Sequence, residues 1–346
     1  MAMSEAQSTP APDKRPAAIA AFLARAGWAG VARRPLAGDA SFRKYSRLID
    51  GARHAVLMDA PPPMENVGGF VALARHLRAL GYSAPEVLAQ DAEHGLLLLE
   101  DLGDDTYTRR LAAGDDEAAL YVRAIDLLID LHRNPQAVCI AVPPYDDARL
   151  LAEAALFTDW YLPAITGRPT AADSRARYLA LWQEAFAHAR AVPSTLVLRD
   201  YHVDNLMWLP ARSGIAACGL LDFQDAVIGP VAYDLVSLIE DARRDTAPEL
   251  QCAMIARYLA AFPALDRERF RAAYCVLGAQ RNAKIIGIFT RLMARDGKPQ
   301  FLAHIARVWR LLEGDLEHPA LARVRAWFAA NAPPESRIVP KAIAAT

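Results

Sequence analysis

Three polar side chains stand directly behind apolar runs in the middle of the chain. Asp200 and Asn205 follow the run Leu196–Leu198, and Asp222 follows Gly219–Leu221. A carboxylate can orient and deprotonate an attacking hydroxyl group, and carboxylate and amide oxygens are ligands that Mg²⁺ prefers. These residue types therefore suit a reaction in which a hydroxyl group attacks a metal-bound phosphate.

The spacing of these residues narrows the chemistry further. Asn205 follows Asp200 as in the catalytic-loop pattern R-D-x-x-x-x-N of kinases, and Asp222-Phe223 stands where their metal-binding D-F-G motif belongs. An isolated D-x-x-x-x-N match arises by chance, and an Asp behind a strand is often only a helix cap. The ordered succession of strand, Asp, Asn, strand and Asp-Phe favours ATP-dependent phosphoryl transfer, with Asp200 as base and Asn205 and Asp222 as Mg²⁺ ligands.

The residues before this centre predict a small antiparallel sheet with one prominent helix. Residues 1–16 predict a disordered leader, and residues 17–27 predict a short amphipathic helix that ends at Gly27. Alternating patterns and turn residues predict strands at 31–36, 41–49, 55–58, 87–89 and 95–99, and helical spacing predicts a helix at 70–80.

The residues after about 115 have the spacing of long helices. These are predicted at 115–133, 147–165, 173–191, 231–243, 248–261, 267–294, 298–313 and 319–331, with a β interruption at 196–223. The chain is therefore predicted to be an α+β protein of two lobes. Residues 17–100 form the nucleotide-binding lobe, 101–104 a hinge, and 105–346 the catalytic and substrate-binding lobe.

Composition excludes several other classes of protein. The formal charge is −1 with acids and bases interspersed, so no basic surface for nucleic acid or an anionic membrane is expected. The four cysteines are widely spaced, which argues against structural zinc and a disulfide framework. The beginning of the chain lacks an apolar stretch like that of a signal peptide, and no run of eighteen apolar residues occurs. We expect a cytoplasmic protein with no obligate protein partner.

The nucleotide-binding residues are predicted in a turn between the first two strands. The segment contains Gly38, Ser41, Phe42 and Arg43, and Lys44 follows it. Its backbone N–H groups and the Ser41 hydroxyl can hold phosphates. An ordinary hairpin turn is the alternative interpretation of the same residues.

The third predicted strand, at 55–58, lacks the lysine that kinases usually carry there. Arg43 or Lys44 on the neighbouring strand is the expected replacement, and an inactive, pseudokinase-type binding protein is the alternative. The segment from Glu100 to Leu102 is predicted to offer backbone groups to adenine.

Three motifs carry a resemblance to a known superfamily. Asp-Tyr-His-x-x-Asn at 200–205, Leu-Asp-Phe-Gln-Asp at 221–225 and Gly-Pro-x-x-Tyr-Asp-Leu at 229–235 resemble the aminoglycoside phosphotransferase and choline kinase superfamily. Over residues 17–330, the resemblance implies a protein-kinase-like bilobal fold with Asp200 as catalytic base and Asn205 and Asp222 as magnesium ligands. It also implies a structural Asp234 that opens the next helix.

Two departures from the superfamily pattern stand beside these motifs. Leu198-Arg199 precedes Asp200 in place of His-Gly or His-Arg, and Gln224 replaces the Gly that follows Asp-Phe in protein kinases. Neither position supplies the base or a metal ligand, so the predicted chemistry is unaffected.

Candidate substrate residues lie in three places. Glu153 stands on the predicted helix 147–165, His202 lies within the first motif, and Arg281 and Asn282 belong to a segment where Arg281, Lys284 and Arg291 recur at helical spacing. A basic face that also carries amides suits a carboxylated or acetamido sugar better than a cation. A solvated helix surface is the alternative.

Further segments at 58–62, 100–104 and 159–162 make the chain similar to one branch of the superfamily, the bacterial N-acetylmuramate/N-acetylglucosamine anomeric kinases. This resemblance implies phosphorylation of the C1 hydroxyl of a free amino sugar during cell-wall recycling. An aminoglycoside kinase, or another small-alcohol kinase, is the alternative with the same machinery.

Overall fold

The computed structural model describes residues 15–36 and 43–341, and these divide into two units. The first unit contains the described residues up to Arg75 together with Pro85–Asp101, and the second contains His76–Ala84 and the described residues from Leu102 onward. The segment predicted as a hinge, 101–104, includes the boundary between Asp101 and Leu102. Most of the predicted leader lies outside the described residues.

The first unit is built on a five-stranded antiparallel sheet. Its strands are β1 (Arg33–Pro35), β2 (Lys44–Asp50), β3 (Arg53–Asp59), β4 (Val87–Asp91) and β5 (Leu96–Glu100), in the order β1-β2-β3-β5-β4. Helix α1 spans Arg15–Arg25, and α2, which continues into the second unit, spans Val67–Ala79. The predicted sheet and both helices are confirmed, with ends displaced by a few residues.

Alternate residues of β3 and β5 form an apolar face of the sheet that packs against α1. Ala55 and Leu57 of β3 and Leu96 and Leu98 of β5 alternate along their strands and are buried. They form one cluster with the apolar face of α1, through Phe22 and other residues. Gly51 connects β2 to β3 with a φ of +59°, a conformation that glycine adopts without strain. The short turn aligns the two strands over their whole length.

The second unit is mainly helical. Its further helices are α3 (Tyr107–Ala112), α4 (Glu117–Arg133), α5 (Asp147–Leu156), α6 (Leu162–Thr166), α7 (Ala172–Ala189), α8 (Tyr233–Ile239), α9 (Pro248–Ala261), α10 (Arg267–Asp296), α11 (Ile305–Leu316) and α12 (Ala322–Asn331). Short strands β6 (Ser194–Val197), β7 (Leu206–Trp208), β8 (Cys218–Leu220) and β9 (Val227–Pro230) form the predicted β interruption. The α+β class and the protein-kinase-like architecture are therefore confirmed.

Local chemistry explains where the predicted helix ends were wrong. Helix α4 begins two residues late because Asp116 accepts the backbone N–H of Ala119 and caps it. The helix predicted at 147–165 is interrupted by a π turn at Phe157–Tyr161. Helix α8 ends at Ile239, earlier than predicted, and α3 has too few residues for its periodicity to be recognised.

Helix α10 is the buried centre of the second unit. It is 30 residues long, and most residues between Phe270 and Met293 are inaccessible to solvent. Gly287 allows it to approach the π turn closely, because a Cβ atom there would lie 2.4 Å from the backbone carbonyl group of Leu156. The π turn that interrupts the helix predicted at 147–165 therefore begins where Gly287 of α10 makes its close contact.

We expect Gly287→Ala to lower the free energy of unfolding by about 1–3 kcal/mol, the usual range for overpacking a close contact. Its matched control is Gly314→Ala on α11, where no atom lies within 4 Å of the added Cβ. This control should be neutral or stabilising by up to ~1 kcal/mol through helix propensity. Urea denaturation of both variants measures the difference, and equal stabilities would contradict the close-contact account.

Candidate active site

Two pairs of antiparallel strands carry the catalytic motifs. Strand β6 pairs with β9, and β7 pairs with β8 in the register Leu206↔Leu220. Beyond the second pair, the N–H of Leu221 donates to the carbonyl oxygen of Asn205 at 2.9 Å. The backbone of Leu221, the residue before Asp222, is therefore hydrogen-bonded to the backbone of Asn205. The predicted catalytic loop and the predicted Asp-Phe metal motif lie side by side.

The loop that presents Asp200 is held by its own residues. The side-chain nitrogen of Asn205 donates to the carbonyl oxygen of Asp200 at 2.9 Å, and the backbone N–H of Asn205 donates to that of His202 at 2.9 Å. Because the amide nitrogen of Asn205 is engaged in this way, its Oδ1 is the atom available to a metal ion.

Two residues of this region adopt the left-handed conformation without being glycine. Arg199 has a φ of +70° and Asp222 a φ of +55°. Such a conformation costs about 1–3 kcal/mol and persists only where surrounding contacts impose it. Residues of this kind cluster at active sites, and here they flank or form the predicted catalytic positions.

The carboxylate of Asp234 imposes the conformation at Arg199. Asp234 is fully buried in the first turn of α8 and accepts the backbone N–H groups of Leu198 at 2.6 Å and Arg199 at 2.8 Å. Burial raises the pKa of Asp234 to about 7, although these two N–H groups act in the opposite direction. The structural role implied for Asp234 is thus specific: it fixes the turn immediately before Asp200.

The two departures from the superfamily pattern have structural explanations. Gln224 donates its side-chain N–H to Oδ1 of Asp222 at 2.8 Å and so orients the predicted metal ligand. Arg199 forms an ion pair with Glu153, and both side chains are largely buried. Glu153 lies on α5, far from Arg199 in sequence, so the sequence contained no signal of this pair.

Glu153 is the centre of a charged cluster formed by Tyr145, Glu153, Arg199 and Lys284, here called the Glu153 cluster. The Tyr145 hydroxyl donates to Oε2 of Glu153 at 2.5 Å, and the Lys284 ammonium lies 3.2 Å from the same oxygen. Burial acts to raise the pKa of Glu153, but Lys284 and Arg199 outweigh it and the pKa is lowered. Glu153, predicted to bind substrate, is bound to protein cations in the described structure.

The same cations act on Asp200. Burial by itself would raise the pKa of the Asp200 carboxyl group, but the positive side chains around it, led by Lys284, lower the pKa below its ordinary value. Asp200 is therefore ionised at neutral pH, which is the form needed to accept a hydrogen bond from an attacking hydroxyl group.

Arg281 and Asn282 lie inside the protein, on the buried part of α10. Arg281 donates to the hydroxyl of Ser237 at 2.9 Å, and Asn282 donates to carboxylate oxygens of Glu240 at 2.8 Å and Asp315 at 3.2 Å. Both are at most 4% exposed, so the alternative of a solvated helix surface is wrong for these residues. Their proposed substrate contacts remain predictions, and their described contacts are with the protein.

The predicted nucleotide-binding residues belong mainly to the first unit. Gly38, Ser41 and Phe42 lie outside the described residues. The guanidinium group of Arg43 lies 3.7 Å from the Glu65 carboxylate, and Lys44 begins β2 with its side chain exposed. These contacts do not test their predicted role.

The predicted hinge residues end the sheet of the first unit and begin the second unit. Glu100 ends β5, and its backbone N–H donates to the carbonyl oxygen of Glu86 at 2.8 Å. Leu102 belongs to the second unit, where its Cδ1 lies 3.3 Å from the position of a Cβ on Gly219. The third strand, β3, contains no lysine, as expected from the sequence.

An ion pair that the sequence did not indicate lies in the first unit. The guanidinium group of Arg47, on β2, donates to a carboxylate oxygen of Asp101 at 2.9 Å, and both side chains are largely buried. It ties the second strand to the first residue of the predicted hinge. An arginine in a strand pattern carries no sequence signal of its partner, which is 54 positions away.

The donor set fits a magnesium ion better than a transition metal. Within residues 15–36 and 43–341, no group of three or more His, Cys, Asp and Glu side chains is arranged to enclose a metal. Mg²⁺ is usually held by one or two protein oxygens while water and phosphates supply the rest, and Asn205 and Asp222 offer such a pair.

None of the described helices is long and apolar enough to cross a membrane.

Comparison of the sequence with known proteins gives relatives over most of the chain. The model of the phosphotransferase enzyme family (APH) matches residues 32–272. The N-acetylmuramate/N-acetylglucosamine kinase of Caulobacter vibrioides is 41% identical over 94% of this chain and 98% of its own length. The kinase of the same name from Pseudomonas aeruginosa is 39% identical over 81% of this chain and 82% of its own length.

Solved structures share the fold at low sequence identity. A choline/ethanolamine kinase family protein from Mesorhizobium loti aligns with a TM-score of 0.62 and 16% identity, over 91% of this chain and 99% of that one. The wild-type aminoglycoside 2'-phosphotransferase-IIIa, in its GDP complex, aligns with a TM-score of 0.59 and 16% identity, over 88% of this chain and 98% of that one. The family model and the curated relatives together show that the chain belongs to the phosphotransferase enzyme family.

Proposed function

We propose that the chain transfers the γ-phosphoryl group of ATP to the C1 hydroxyl group of N-acetylmuramate and N-acetylglucosamine. The observation that carries the proposal is the 41% identity to the Caulobacter kinase along nearly the whole of both chains. The site supports it, since the proposed base and the two proposed metal ligands lie on adjoining segments of one unit. This similarity favours the amino sugars over the aminoglycoside alternative, and family membership favours an enzyme over an inactive binding protein.

In the proposed step, the C1 oxygen forms a bond to the γ-phosphorus while the bond from that phosphorus to the bridging oxygen of ADP breaks. Asp200, ionised at neutral pH, accepts the hydroxyl proton as the new bond forms. An anomeric hydroxyl group is more acidic than an ordinary alcohol. A carboxylate with a lowered pKa is therefore sufficient as the base.

Asn205 and Asp222 would hold the magnesium ion through Oδ1 and the carboxylate. When bound, the ion neutralises charge on the phosphates. The chain's own contribution is orientation: the Asp200 carbonyl engages the amide nitrogen of Asn205, and Gln224 engages one carboxylate oxygen of Asp222.

The nucleotide contacts form part of the same proposal. Gly38, Ser41, Phe42, Arg43 and Lys44 would hold the phosphates. At the hinge, the N–H of Glu100 already donates to the carbonyl oxygen of Glu86 within the first unit, so the N–H contact to adenine would fall to Leu102. A cytoplasmic location, where ATP is available, follows from the proposed reaction.

We expect Asp200→Asn to lower kcat by about 10²–10⁴-fold, the usual contribution of a positioned base. Binding of Mg²⁺-ATP should stay within about twofold, because the substitution is isosteric and removes no proposed metal ligand. Coupled detection of ADP measures the first quantity and calorimetric titration the second. An active Asp200→Asn enzyme would remove Asp200 from the mechanism.

We expect Asp222→Ala to abolish the part of nucleotide binding that depends on Mg²⁺. Titrations with ATP in the presence and absence of the metal measure this dependence. Asp225→Ala is the matched control, since Asp225 is an exposed carboxylate on the same turn. If both variants retained the metal effect, Asp222 would not be a magnesium ligand.

We expect the product formed from N-acetylglucosamine to be the 1-phosphate. Phosphorus NMR identifies it, because coupling of phosphorus to the anomeric proton distinguishes C1 from the other positions. Turnover of kanamycin without turnover of either amino sugar would overturn the proposed substrate class.

A further inference from the structure

Two deeply buried polar atoms close to the catalytic loop have no hydrogen-bond partner among the described residues. They are Nδ1 of His202 and Oδ2 of Asp241. His202 is 5% exposed and Asp241 is fully buried. A buried polar atom without a partner costs about 1–3 kcal/mol, and most such atoms in folded proteins are paired with protein, water or a ligand.

These two atoms belong to one group of side chains that Arg243 connects. The backbone N–H of Arg243 donates to the other oxygen of Asp241, Oδ1, at 2.8 Å. The Arg243 guanidinium lies 3.5 Å from Nε2 of His202. His202 is two residues beyond Asp200, and its Nε2 lies 3.3 Å from the amide nitrogen of Asn205. His202 is thus held beside the proposed reacting centre, and Arg243 contacts both His202 and Asp241.

The surroundings of His202 determine which of its nitrogens carries the proton. Nε2 faces two donors, the guanidinium of Arg243 and the amide nitrogen of Asn205, which also donates to the Asp200 carbonyl. Nε2 must therefore accept. A ring nitrogen that accepts leaves the ring proton to the other nitrogen, so the proton of His202 lies on Nδ1. The group consequently offers one unused donor, at His202, and one unused acceptor, at Asp241.

A donor and an acceptor on two side chains that one arginine contacts are complementary to a sugar. A sugar hydroxyl group can accept a hydrogen bond from His202 and donate one to Asp241. Alternatively, two neighbouring substituents of the sugar can each form one of these hydrogen bonds. Two other nearby carboxylates are paired with arginine: Arg243 lies 3.4 Å from Asp204, and Arg307 lies 3.0 Å from Asp245. These two carboxylates are therefore neutralised by the protein itself.

We propose that His202 and Asp241 bind the acceptor sugar, with Nδ1–H of His202 donating to a sugar oxygen and Oδ2 of Asp241 accepting a hydroxyl or acetamido hydrogen. The proposal rests on the proposed function and names a contact for it that the sequence did not indicate, since Asp241 belongs to no motif. Arg243 is the positioning residue that holds both groups.

The test uses substitutions that preserve shape. Asp241→Asn keeps the oxygen that binds the Arg243 N–H and replaces the free acceptor by a donor. His202→Gln keeps a polar group near the position of Nε2 and removes the Nδ1 donor. Each is expected to raise KM for N-acetylglucosamine about tenfold, the equivalent of one lost hydrogen bond, with kcat changed less than threefold. Asp245→Asn, an exposed carboxylate beyond the group, should leave KM within twofold.

Analogues of the sugar separate a direct contact from a structural effect. If Asp241 contacts one substituent, an analogue that lacks it, for example a deoxy sugar or glucose without the acetamido group, should show the same KM with wild type and with Asp241→Asn. A purely structural role would raise KM equally for every analogue and would overturn the proposal. So would an unchanged KM with an altered Tm, the result expected if fixed water molecules satisfy these atoms.

Wild-type turnover of N-acetylglucosamine is measured first, so that the two proposals fail separately. Absence of turnover on both amino sugars contradicts the proposed function. Turnover that is insensitive to both substitutions contradicts only the sugar contacts proposed for His202 and Asp241.

Discussion

The buried carboxylate of Asp234 holds the turn on which the catalytic loop depends. Two consecutive backbone N–H groups, of Leu198 and Arg199, donate to its two oxygens, and this keeps Arg199 in a left-handed conformation that it would not adopt alone. The hydroxyl of Ser237, also on α8, donates to the Arg199 carbonyl at 3.0 Å. Because both backbone groups of Arg199 are held from one helix, the direction in which the chain leaves toward Asp200 is determined.

Charge balance is the second constraint on the site. Within the Glu153 cluster, two cations, Arg199 and Lys284, approach the single carboxylate of Glu153, and both also act on Asp200. An ionised Asp200 gives these two cations a second carboxylate. Removing either partner of a buried charge pair leaves an uncompensated charge, which is far more costly than the pair itself. The cluster therefore stabilises the base in its ionised form and is in turn stabilised by it.

Helix α10 connects these features through polar groups in an otherwise apolar core. Arg281 donates to Ser237 and so supports the helix that carries Asp234, while Asn282 bonds the carboxyl groups of Glu240 and Asp315. Burial and mutual repulsion raise the pKa of Asp315 far above its ordinary value, and burial also raises the pKa of Glu240. Buried polar networks of this kind rigidify a core when their members are satisfied. Here they also determine how α8 lies beneath the catalytic loop.

The resemblance and the periodicity of the chain predicted much of this fold. Alternating strands at the beginning, long apolar-faced helices toward the end and the two strand-end motifs between them were sufficient for the α+β class. Helix ends were predicted less well, because a side-chain cap at Asp116 and the π turn at Phe157–Tyr161 depend on contacts that periodicity does not record. The predicted turn containing Gly38, Ser41 and Phe42 lies outside the described residues and stays a prediction.

The sequence by itself determined the proposed reacting groups, because Asp200, Asn205 and Asp222 are separated by short stretches whose pattern of strand and turn can be recognised locally. Only the tertiary structure decided what surrounds them. Glu153 and Lys284 are far from Asp200 along the chain, and Arg281 and Asn282, interpreted as a surface that binds substrate, are buried among protein partners. The physical reason is that an ion pair or a buried hydrogen bond requires two groups to meet in space, and no local pattern of residues specifies the partner of either.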